Sequence, residues 1–247
     1  MRRFAITPDA VSDGRVTFDA PQSRHLARAL RLRPGDTIIA SDGSGRDYTV
    51  RLDAVGARVT GTVIGEASGA AESPLAITLV QALPKADKMD FIVRAATELG
   101  VAAVQPALTA RTVVRLSASA ALERAARWQR VAREAAKQSR RRVVPVVAAP
   151  APLAACLETA GNTDLALCLW EADAPPLARA LPDHPVRSVA LLIGPEGGLE
   201  AAEVESARGA GWQVVSLGTR VLRTETAGPA VIAVLQARFG DLGRDGG

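Results

Sequence analysis

The sequence predicts the α/β fold class, with a small N-terminal β-barrel domain in front of a larger α/β domain. Short apolar runs separated by turn residues fill residues 1–72, which is the spacing of a small barrel. From residue 73 onward, apolar strands alternate with helical segments, as in an α/β fold. The stretch 67–74 is small and polar and ends in proline, so the boundary is predicted there. We therefore predict domains 1–72 and 73–247.

The pattern places the individual elements as follows. Barrel strands are predicted at 15–18, 36–40, 47–52 and 57–64, interrupted by one helix, 23–32, that ends before Pro34-Gly35. In the second domain, strands are predicted at 75–83, 101–106, 164–169, 188–193 and 213–217. Its predicted helices are 88–99, 119–139, 200–210 and 227–239. Pro229 is then expected in the first turn of the last helix, where proline is tolerated.

Basic residues are clustered, although the formal net charge is only +4. Residues 124–142 contain eight lysines and arginines and one acid, Glu134. A second patch, Arg24, Arg28, Arg31 and Arg33, contains no acid. Two focused basic patches favour a polyanionic partner such as RNA. In helix 119–139 the basic residues share one face, for which both an RNA contact and a solvated surface stay open.

Composition and the absence of standard motifs narrow the function classes. Two cysteines and two histidines are too few for a disulfide framework or a four-ligand zinc site, so no metal is expected. The basic N-terminus lacks the apolar stretch of a secretory signal, and no run reaches transmembrane length. We therefore expect a cytoplasmic protein without a membrane partner. The P-loop, the Rossmann glycine motif and the nucleophile elbow are absent.

Two strand-to-helix loops carry the candidate chemistry. In the first, the predicted strand at 188–193 runs into Gly194-Pro195-Glu196-Gly197-Gly198-Leu199, whose glycines let the backbone approach a ligand closely. The second, Leu217–Ala227, carries Arg223 and Glu225 among apolar and hydroxylic residues. The alternatives are a plain turn in the first loop and a capping or local ion pair in the second. Both loops follow strand C-termini, where open α/β sheets place their ligand crevice.

The same two loops resemble those of the RsmE family of SPOUT methyltransferases. Further matches are His25-x-x-x-Ala29-Leu30-Arg31 with Pro34-Gly35-Asp36, Lys85-x-Asp87-Lys88-Met89, Thr97–Val101 and Gln138-Ser139-x-Arg141, so the resemblance covers nearly the whole chain. It implies a PUA-like N-terminal barrel, a trefoil-knotted α/β domain and a homodimer. It also implies methylation of uracil N3 in 16S rRNA by S-adenosyl-L-methionine (SAM), with the small ribosomal subunit as partner. Whether naked RNA or the assembled subunit is the substrate stays open. Two departures are Lys137, where relatives carry an acid, and Trp170-Glu171 after the strand ending at Leu169.

The resemblance and the charge pattern together give the candidate site residues. Expected cofactor contacts are Leu169, Gly194, Pro195, Glu196, Gly197, Gly198, Leu199, Leu217, Gly218, Val221, Leu222 and Thr224. Expected RNA contacts are Arg2, Arg3, His25, Arg28, Arg31, Arg33, Lys85, Lys88, Arg140 and Arg141. A bulky residue at Gly197 is expected to abolish SAM binding.

Methyl transfer to uracil N3 requires the N3 proton to leave, so the site must supply a base or stabilise the uracil anion. Arg223 is the expected stabiliser, and either Glu225 or Glu196 could accept the proton or orient Arg223. Two alternatives stay open. One is a catalytically silent RNA-binding or ribosome-assembly protein, and the other is a SPOUT methyltransferase acting on a ribose 2′-OH or on tRNA.

Overall fold

The computed structural model describes residues 2–67, 72–113, 116–172 and 174–243. The chain divides into two compact units. The first contains the N-terminal residues up to Glu72 together with Lys137–Val144, and the second contains Ser73–Ala136 and the residues from Pro145 onward. Part of the predicted linker, 68–71, lies outside the described residues. Lys137–Val144, which the sequence pattern placed with the second domain, packs with the first unit.

The first unit is a six-stranded half-barrel. Its strands are β1 (Arg3–Ala5), β2 (Val11–Ser12), β3 (Arg15–Thr17), β4 (Thr37–Ser41), β5 (Asp47–Ala54) and β6 (Thr60–Glu66), in the order β1-β4-β5-β6-β3-β2. The β1–β4 pair is parallel and the other pairs are antiparallel. Apolar side chains from alternate strand positions, among them Val16, Ile38 and Val50, form its core. The four predicted strands are found as β3 to β6, and the two short strands β1 and β2 were missed.

The predicted helix 23–32 lies three residues nearer the N-terminus. Helix α1 spans Ala20–Arg24, and one π-helical turn continues it over His25–Ala29. It starts early because the Asp19 carboxylate accepts the amide of Gln22 at 2.7 Å, which caps the first turn. It ends early because Arg31 adopts a left-handed conformation, with φ at 52°.

The second unit is a parallel sheet covered by helices. Its strands are β7 (Ala76–Ala82), β8 (Ala103–Leu108), β9 (Val146–Val147), β10 (Ala151–Pro152), β11 (Leu165–Leu169), β12 (Ser188–Ile193) and β13 (Gln213–Val215). They run in the order β10-β8-β7-β12-β11-β13, with β9 beside β8, and every pair is parallel. Both faces of the central strands β7 and β12 are buried, which explains their near-continuous apolar sequence. Five of these strands were predicted, and the two-residue strands β9 and β10 were not.

The helices of this unit are α2 (Lys88–Glu98), α3 (Ala118–Gln138), α4 (Leu153–Ala160), α5 (Leu177–Ala180), α6 (Ala201–Gly209) and α7 (Thr224–Phe239). The predicted helices correspond to α2, α3, α6 and α7, whereas α4 and α5 were missed. Among the described residues, no helix combines the length and the apolar character needed to cross a membrane.

The position expected for Pro229 was wrong. Helix α7 begins at Thr224, three residues before the predicted start, so Pro229 lies inside the helix rather than in its first turn. The early start follows from the carbonyl of Arg223, which already accepts the amides of Thr226 and Ala227. Glu225 consequently lies in the first helical turn, where a carboxylate is stabilised by the helix dipole.

Candidate active site

A cavity of about 370 Å³ opens where β11, β12 and β13 end. These strands are neighbours, with β11 between the other two, so the loops that follow them meet at one edge of the sheet. Side chains and backbone from these loops, from Lys88 of α2 and from the start of α7 line the cavity. The lining residues are Lys88, Leu169, Trp170, Glu171, Ile193, Gly194, Pro195, Glu196, Gly198, Ser216, Leu217, Gly218, Arg220, Val221, Leu222, Arg223, Thr224 and Ala227.

Ten of the twelve predicted cofactor residues line this cavity, and Gly197 and Leu199 do not. The carbonyl of Gly197 accepts a hydrogen bond from the Arg111 guanidinium, and Gly197 itself is exposed. Leu199 is buried beneath the turn, where its side chain contacts Gly194. Of the two adjacent glycines, Gly198 lines the cavity and Gly197 does not, and the effect of a bulky residue at Gly197 stays a prediction.

Gly198 is the glycine on which the shape of the first loop depends. Its φ is +72°, a conformation that side chains other than glycine rarely adopt, and its amide donates to the carbonyl of Pro195 at 2.9 Å. A Cβ at this position would also run into the Glu171 carboxylate, with its Cδ only 3.3 Å away. The turn thus brings its backbone up against a side chain of the loop after β11.

Thr224 joins the two predicted loops through a buried hydrogen-bond chain. Its hydroxyl donates to the carbonyl of Gly194 at 2.6 Å and accepts from the side-chain amide of Gln81 at 3.0 Å. Gln81 is fully buried in β7. The polar chain explains why a glutamine stands in an otherwise apolar central strand, since it fixes the start of α7 against the glycine-rich turn.

Lys88 lies between the two candidate catalytic carboxylates. Its ammonium is 2.9 Å from Oε1 of Glu196 and 3.1 Å from Oε2 of Glu225. The backbone amide of Lys85 also donates to both oxygens of Glu196, at 3.1 and 3.2 Å. Lys88, predicted as an RNA contact, is therefore part of the same cluster as the predicted catalytic acids.

The cluster is fully ionised at neutral pH. Burial alone would raise the pKa of Glu196, but hydrogen bonds from Lys88 and from the amides of Glu196 and Lys85 bring it below its ordinary value. The pKa of Glu225 is lowered first by its own backbone amide and then, against burial, by Lys88 and the charge of Arg223. Glu196 and then Glu225 raise the pKa of Lys88 in return.

Arg223 is exposed and lines the cavity beside the start of α7. Arg220 lies in the same loop and contributes a second guanidinium to the wall. The cavity therefore combines cationic groups with the carboxylates of Glu171 and Glu196, so it can hold a ligand that carries both signs of charge.

Several lining residues were not named individually as contacts, although the last two lie within the predicted Leu217–Ala227 loop: Trp170, Glu171, Ile193, Ser216, Arg220 and Ala227. Two of them, Trp170 and Glu171, directly follow a predicted strand, and Ser216 directly follows the observed β13. The rule that strand C-termini carry the ligand crevice, applied to every strand and not only to the glycine-rich loops, identifies Trp170, Glu171 and, with the observed end of β13, Ser216. The Arg220 side chain was not singled out within the predicted second loop, because an arginine in a loop is most often solvated.

Apart from Lys88, the predicted RNA contacts fall into three groups. Arg2, His25, Arg28, Arg31, Arg33 and Arg140 are exposed in the first unit, and Lys85 is exposed in the second. Arg3 contacts the fully buried Asp47 at 3.0 Å. Arg141 is only 10% exposed, and two of its guanidinium nitrogens donate to Glu72 at 3.0 and 2.7 Å.

The basic helix α3 is amphipathic as the sequence predicts. Trp128, Ala132, Ala135 and Ala136 are buried, whereas Arg130, Arg133 and Lys137 are exposed. Arg127 on the same face contacts Asp90 at 2.7 Å, so part of the face serves an ion pair within the unit.

Comparison with known proteins identifies the family. A family model described as "RNA methyltransferase domain" matches residues 71–236, and one described as "RNA methyltransferase PUA domain" matches residues 18–58. The ribosomal RNA small subunit methyltransferase E of Synechocystis is 37% identical, over 95% of this chain and 77% of that protein. Its Bacillus subtilis counterpart is 32% identical over 82% of each.

Solved structures agree. The ribosomal RNA small subunit methyltransferase E of Neisseria gonorrhoeae, crystallised with bound SAM, superposes with a TM-score of 0.85 at 37% identity, covering 98% of this chain and 99% of that one. A SAM-bound Legionella pneumophila structure gives 0.84 at 30% identity, covering 97% and 98%. The fold is the predicted SPOUT-type α/β domain with a PUA-like N-terminal domain, and the trefoil knot stays a prediction. This chain belongs to the ribosomal RNA small subunit methyltransferase E family of RNA methyltransferases.

Proposed function

We propose that this protein is a SAM-dependent methyltransferase that methylates N3 of a uridine in 16S rRNA. The observation that carries the proposal is the single cavity formed by the glycine-rich turn and the Leu217–Thr224 loop, with Arg223 in its wall. The relatives act on small-subunit rRNA by their names, and two solved relatives contain bound SAM.

The cavity fits SAM in size, backbone and charge. Its volume of about 370 Å³ lies within the range of small-molecule pockets. Gly198 has no side chain, and a Cβ there would meet the Glu171 carboxylate, so the backbone itself forms the wall at this point. The wall carries both cations and carboxylates, which suits a ligand with a sulfonium, an ammonium and a carboxylate. When bound, SAM supplies an electrophilic methyl group.

The residues that would hold SAM are Leu169, Gly194–Glu196, Gly198 and the loop from Leu217 to Thr224. Arg223 is proposed to stabilise the negative charge that develops on a uracil carbonyl as the N3 proton leaves. An arginine cannot lose its proton near neutral pH, so it can serve as this stabiliser but cannot act as the base.

RNA binding is proposed for the exposed basic residues of the first unit. Arg28, Arg31 and Arg140 present guanidinium groups that can contact phosphates. Arg141 is proposed to act differently, because Glu72 already holds its guanidinium. A ribosomal RNA substrate would place the protein in the cytoplasm, with the small ribosomal subunit as its partner.

A homodimer with composite active sites is also proposed. Helices α2 and α7 pack against each other, and each carries a large apolar side chain toward solvent: Phe91 is 50% exposed and Val234 is 45% exposed. A second copy that covers this apolar surface would account for its exposure. Light scattering at micromolar concentration is expected to give the mass of two chains, and an active monomer would contradict the dimer.

The function is tested by calorimetry with SAM, followed by methyl transfer to 16S rRNA supplied as naked RNA and as small subunits. Nuclease digestion and mass spectrometry then identify the modified nucleoside. We expect micromolar or tighter SAM binding and 3-methyluridine. A folded protein that binds RNA but not SAM would instead support the silent RNA-binding alternative. A 2′-O-methylated nucleoside would place the chain among methyltransferases with another target.

A further inference from the structure

The Lys88 cluster connects three segments that are far apart in sequence. Glu196 belongs to the glycine-rich turn after β12, Lys88 begins α2, and Glu225 lies in the first turn of α7, directly after the second cofactor loop. Through distances of 2.9 and 3.1 Å, one ammonium therefore joins the two loops that form the cavity. The side chains of all three residues are between 18% and 33% exposed, so water screens them only in part.

The backbone of the turn before α2 supports the same cluster of Lys88, Glu196 and Glu225. Lys85, at the start of the turn before α2, donates its amide to both oxygens of Glu196. The next residue, Ala86, takes a left-handed conformation with φ at 54°, which is unfavourable for alanine. The backbone before α2 thus adopts an unfavourable conformation at Ala86. In this conformation the amide of Lys85 and the ammonium of Lys88 both face Glu196.

The same contacts leave Glu196 and Glu225 poorly suited to accept the uracil proton. Glu196 already accepts the backbone amide of Lys85 and pairs with the Lys88 ammonium, and Glu225 pairs with the same ammonium. A carboxylate whose pKa lies below its ordinary value is also a weak base toward an imide nitrogen that is itself a weak acid. Proton transfer to either would first require the ion pairs to break.

We propose that Lys88 is a positioning residue that clamps the two SAM-binding loops together through Glu196 and Glu225, and that these carboxylates are its ionic partners and not the proton acceptor. This inference rests on the proposed function. The N3–H bond then breaks with its proton passing to water or hydroxide from solvent. The nitrogen electron pair forms the new N–CH₃ bond as the S–CH₃ bond breaks, and that bond's electrons remain on sulfur.

Other charged groups also lie near Lys88, Glu196 and Glu225. Asp87, just before α2, and Asp90, in its first turn, face Arg127 of α3, which lies 3.5 and 2.7 Å from them. Beside Glu225, Arg223 lowers the pKa of the carboxyl by its charge. Glu171 lines the same cavity and adjoins Gly198. Beyond the turn, Arg111 lies 3.8 Å from Glu200.

The clamp is tested first by SAM affinity in calorimetry, a readout independent of turnover. Lys88→Met is expected to weaken SAM binding about tenfold to a hundredfold, the scale of hydrogen bonds to charged groups. Lys88→Arg keeps a cation at the position and should restore most of the affinity. Arg94→Met removes an exposed cation from the same helix and is the matched control, expected to bind as the wild type does.

The proton's destination is tested by the single-turnover rate at saturating SAM and RNA between pH 6 and pH 9. Loss of the proton to solvent predicts a rate that rises about tenfold per pH unit until the bound uracil titrates. Glu196→Gln and Glu225→Gln should keep that rising profile with a rate lowered less than about tenfold. Lys88→Arg should keep it too, because arginine cannot lose its proton in this range.

Three results would overturn the inference while leaving the proposed function intact. The first is a Lys88→Met variant that binds SAM as tightly as the wild type does. The second is a rate that does not vary with pH in the wild-type protein and is abolished in either glutamine variant. The third is a rate that no longer depends on pH in Lys88→Arg. If instead the wild-type protein neither bound SAM nor methylated RNA, the proposed function itself would fail.

Discussion

Replacing Gly198 by alanine tests the geometry of the glycine-rich turn. At φ +72° a non-glycine residue costs about 1–2 kcal/mol. The added Cβ would also press on Glu171, whose side chain must swing out of its place in the cavity wall. In the SAM-free variant we expect the turn to relax and relieve this strain, so SAM binding must restore the strained conformation. The dissociation constant should then rise about fivefold to thirtyfold.

Gly197→Ala is the matched control one position earlier. Gly197 is exposed and has no left-handed φ, and a Cβ there would meet Arg111 at an ordinary 3.4 Å. Calorimetry with SAM and thermal unfolding of both variants provide the comparison. We expect near wild-type behaviour for Gly197→Ala and weakened binding by a folded Gly198→Ala. Equal SAM affinities in the two variants would refute the reasoning.

Three further predictions follow from the ionic groups. Arg223→Ala should leave SAM and RNA affinity nearly intact. It should lower the single-turnover rate about a hundredfold to a thousandfold. An unchanged rate at saturating SAM and RNA would show that Arg223 takes no part in the chemical step. Arg140→Ala should lower the salt slope of RNA binding by about one. Arg141→Ala should mainly lower the free energy of unfolding, by about 1–3 kcal/mol, because Oε2 of Glu72 loses its guanidinium donors. Filter binding at several salt concentrations measures the salt slope, and denaturant unfolding measures the stability. A lower salt slope for Arg141→Ala together with lower stability for Arg140→Ala would contradict the assignment. Glu196 and Glu225 have folded pKa values below the ordinary 4.5, so their stabilisation is present above pH 4.5 and is lost as the pH falls through the folded values. Unfolding midpoints measured downward from pH 5 should therefore fall less steeply in the double glutamine variant, and parallel curves would count against the clamp.

The sequence predicted those parts of the site that depend on local pattern. Apolar strands that end in glycine-rich or hydroxylic loops lie where the strand C-termini meet, and the cavity is found there. The left-handed turn at Gly198 follows from the same local pattern, since the paired glycines indicated a close backbone approach. Choosing between Gly197 and Gly198 required the φ angle of each residue, which the sequence does not contain.

What could not be predicted depends on contacts between distant residues. The predicted RNA contact Arg141 is held by Glu72, and Lys88 is held by two acids from separate loops. No periodicity links such residues, because an ion pair leaves no spacing signal along the chain. The start of α7 was misplaced for a related reason, since its first turn is fixed by the hydrogen bond from Thr224 to Gly194.

The central claim is methylation of uracil N3 in 16S rRNA, and nucleoside mass spectrometry of 16S rRNA tests it most directly. The rRNA would come from a strain lacking the gene and from the same strain carrying the wild-type or the Arg223→Ala chain. We predict that 3-methyluridine is missing from the deletion strain, returns with the wild-type chain and stays below the wild-type level with Arg223→Ala. An unchanged 3-methyluridine content in the deletion strain, or the loss of a ribose-methylated nucleoside in its place, would contradict the account.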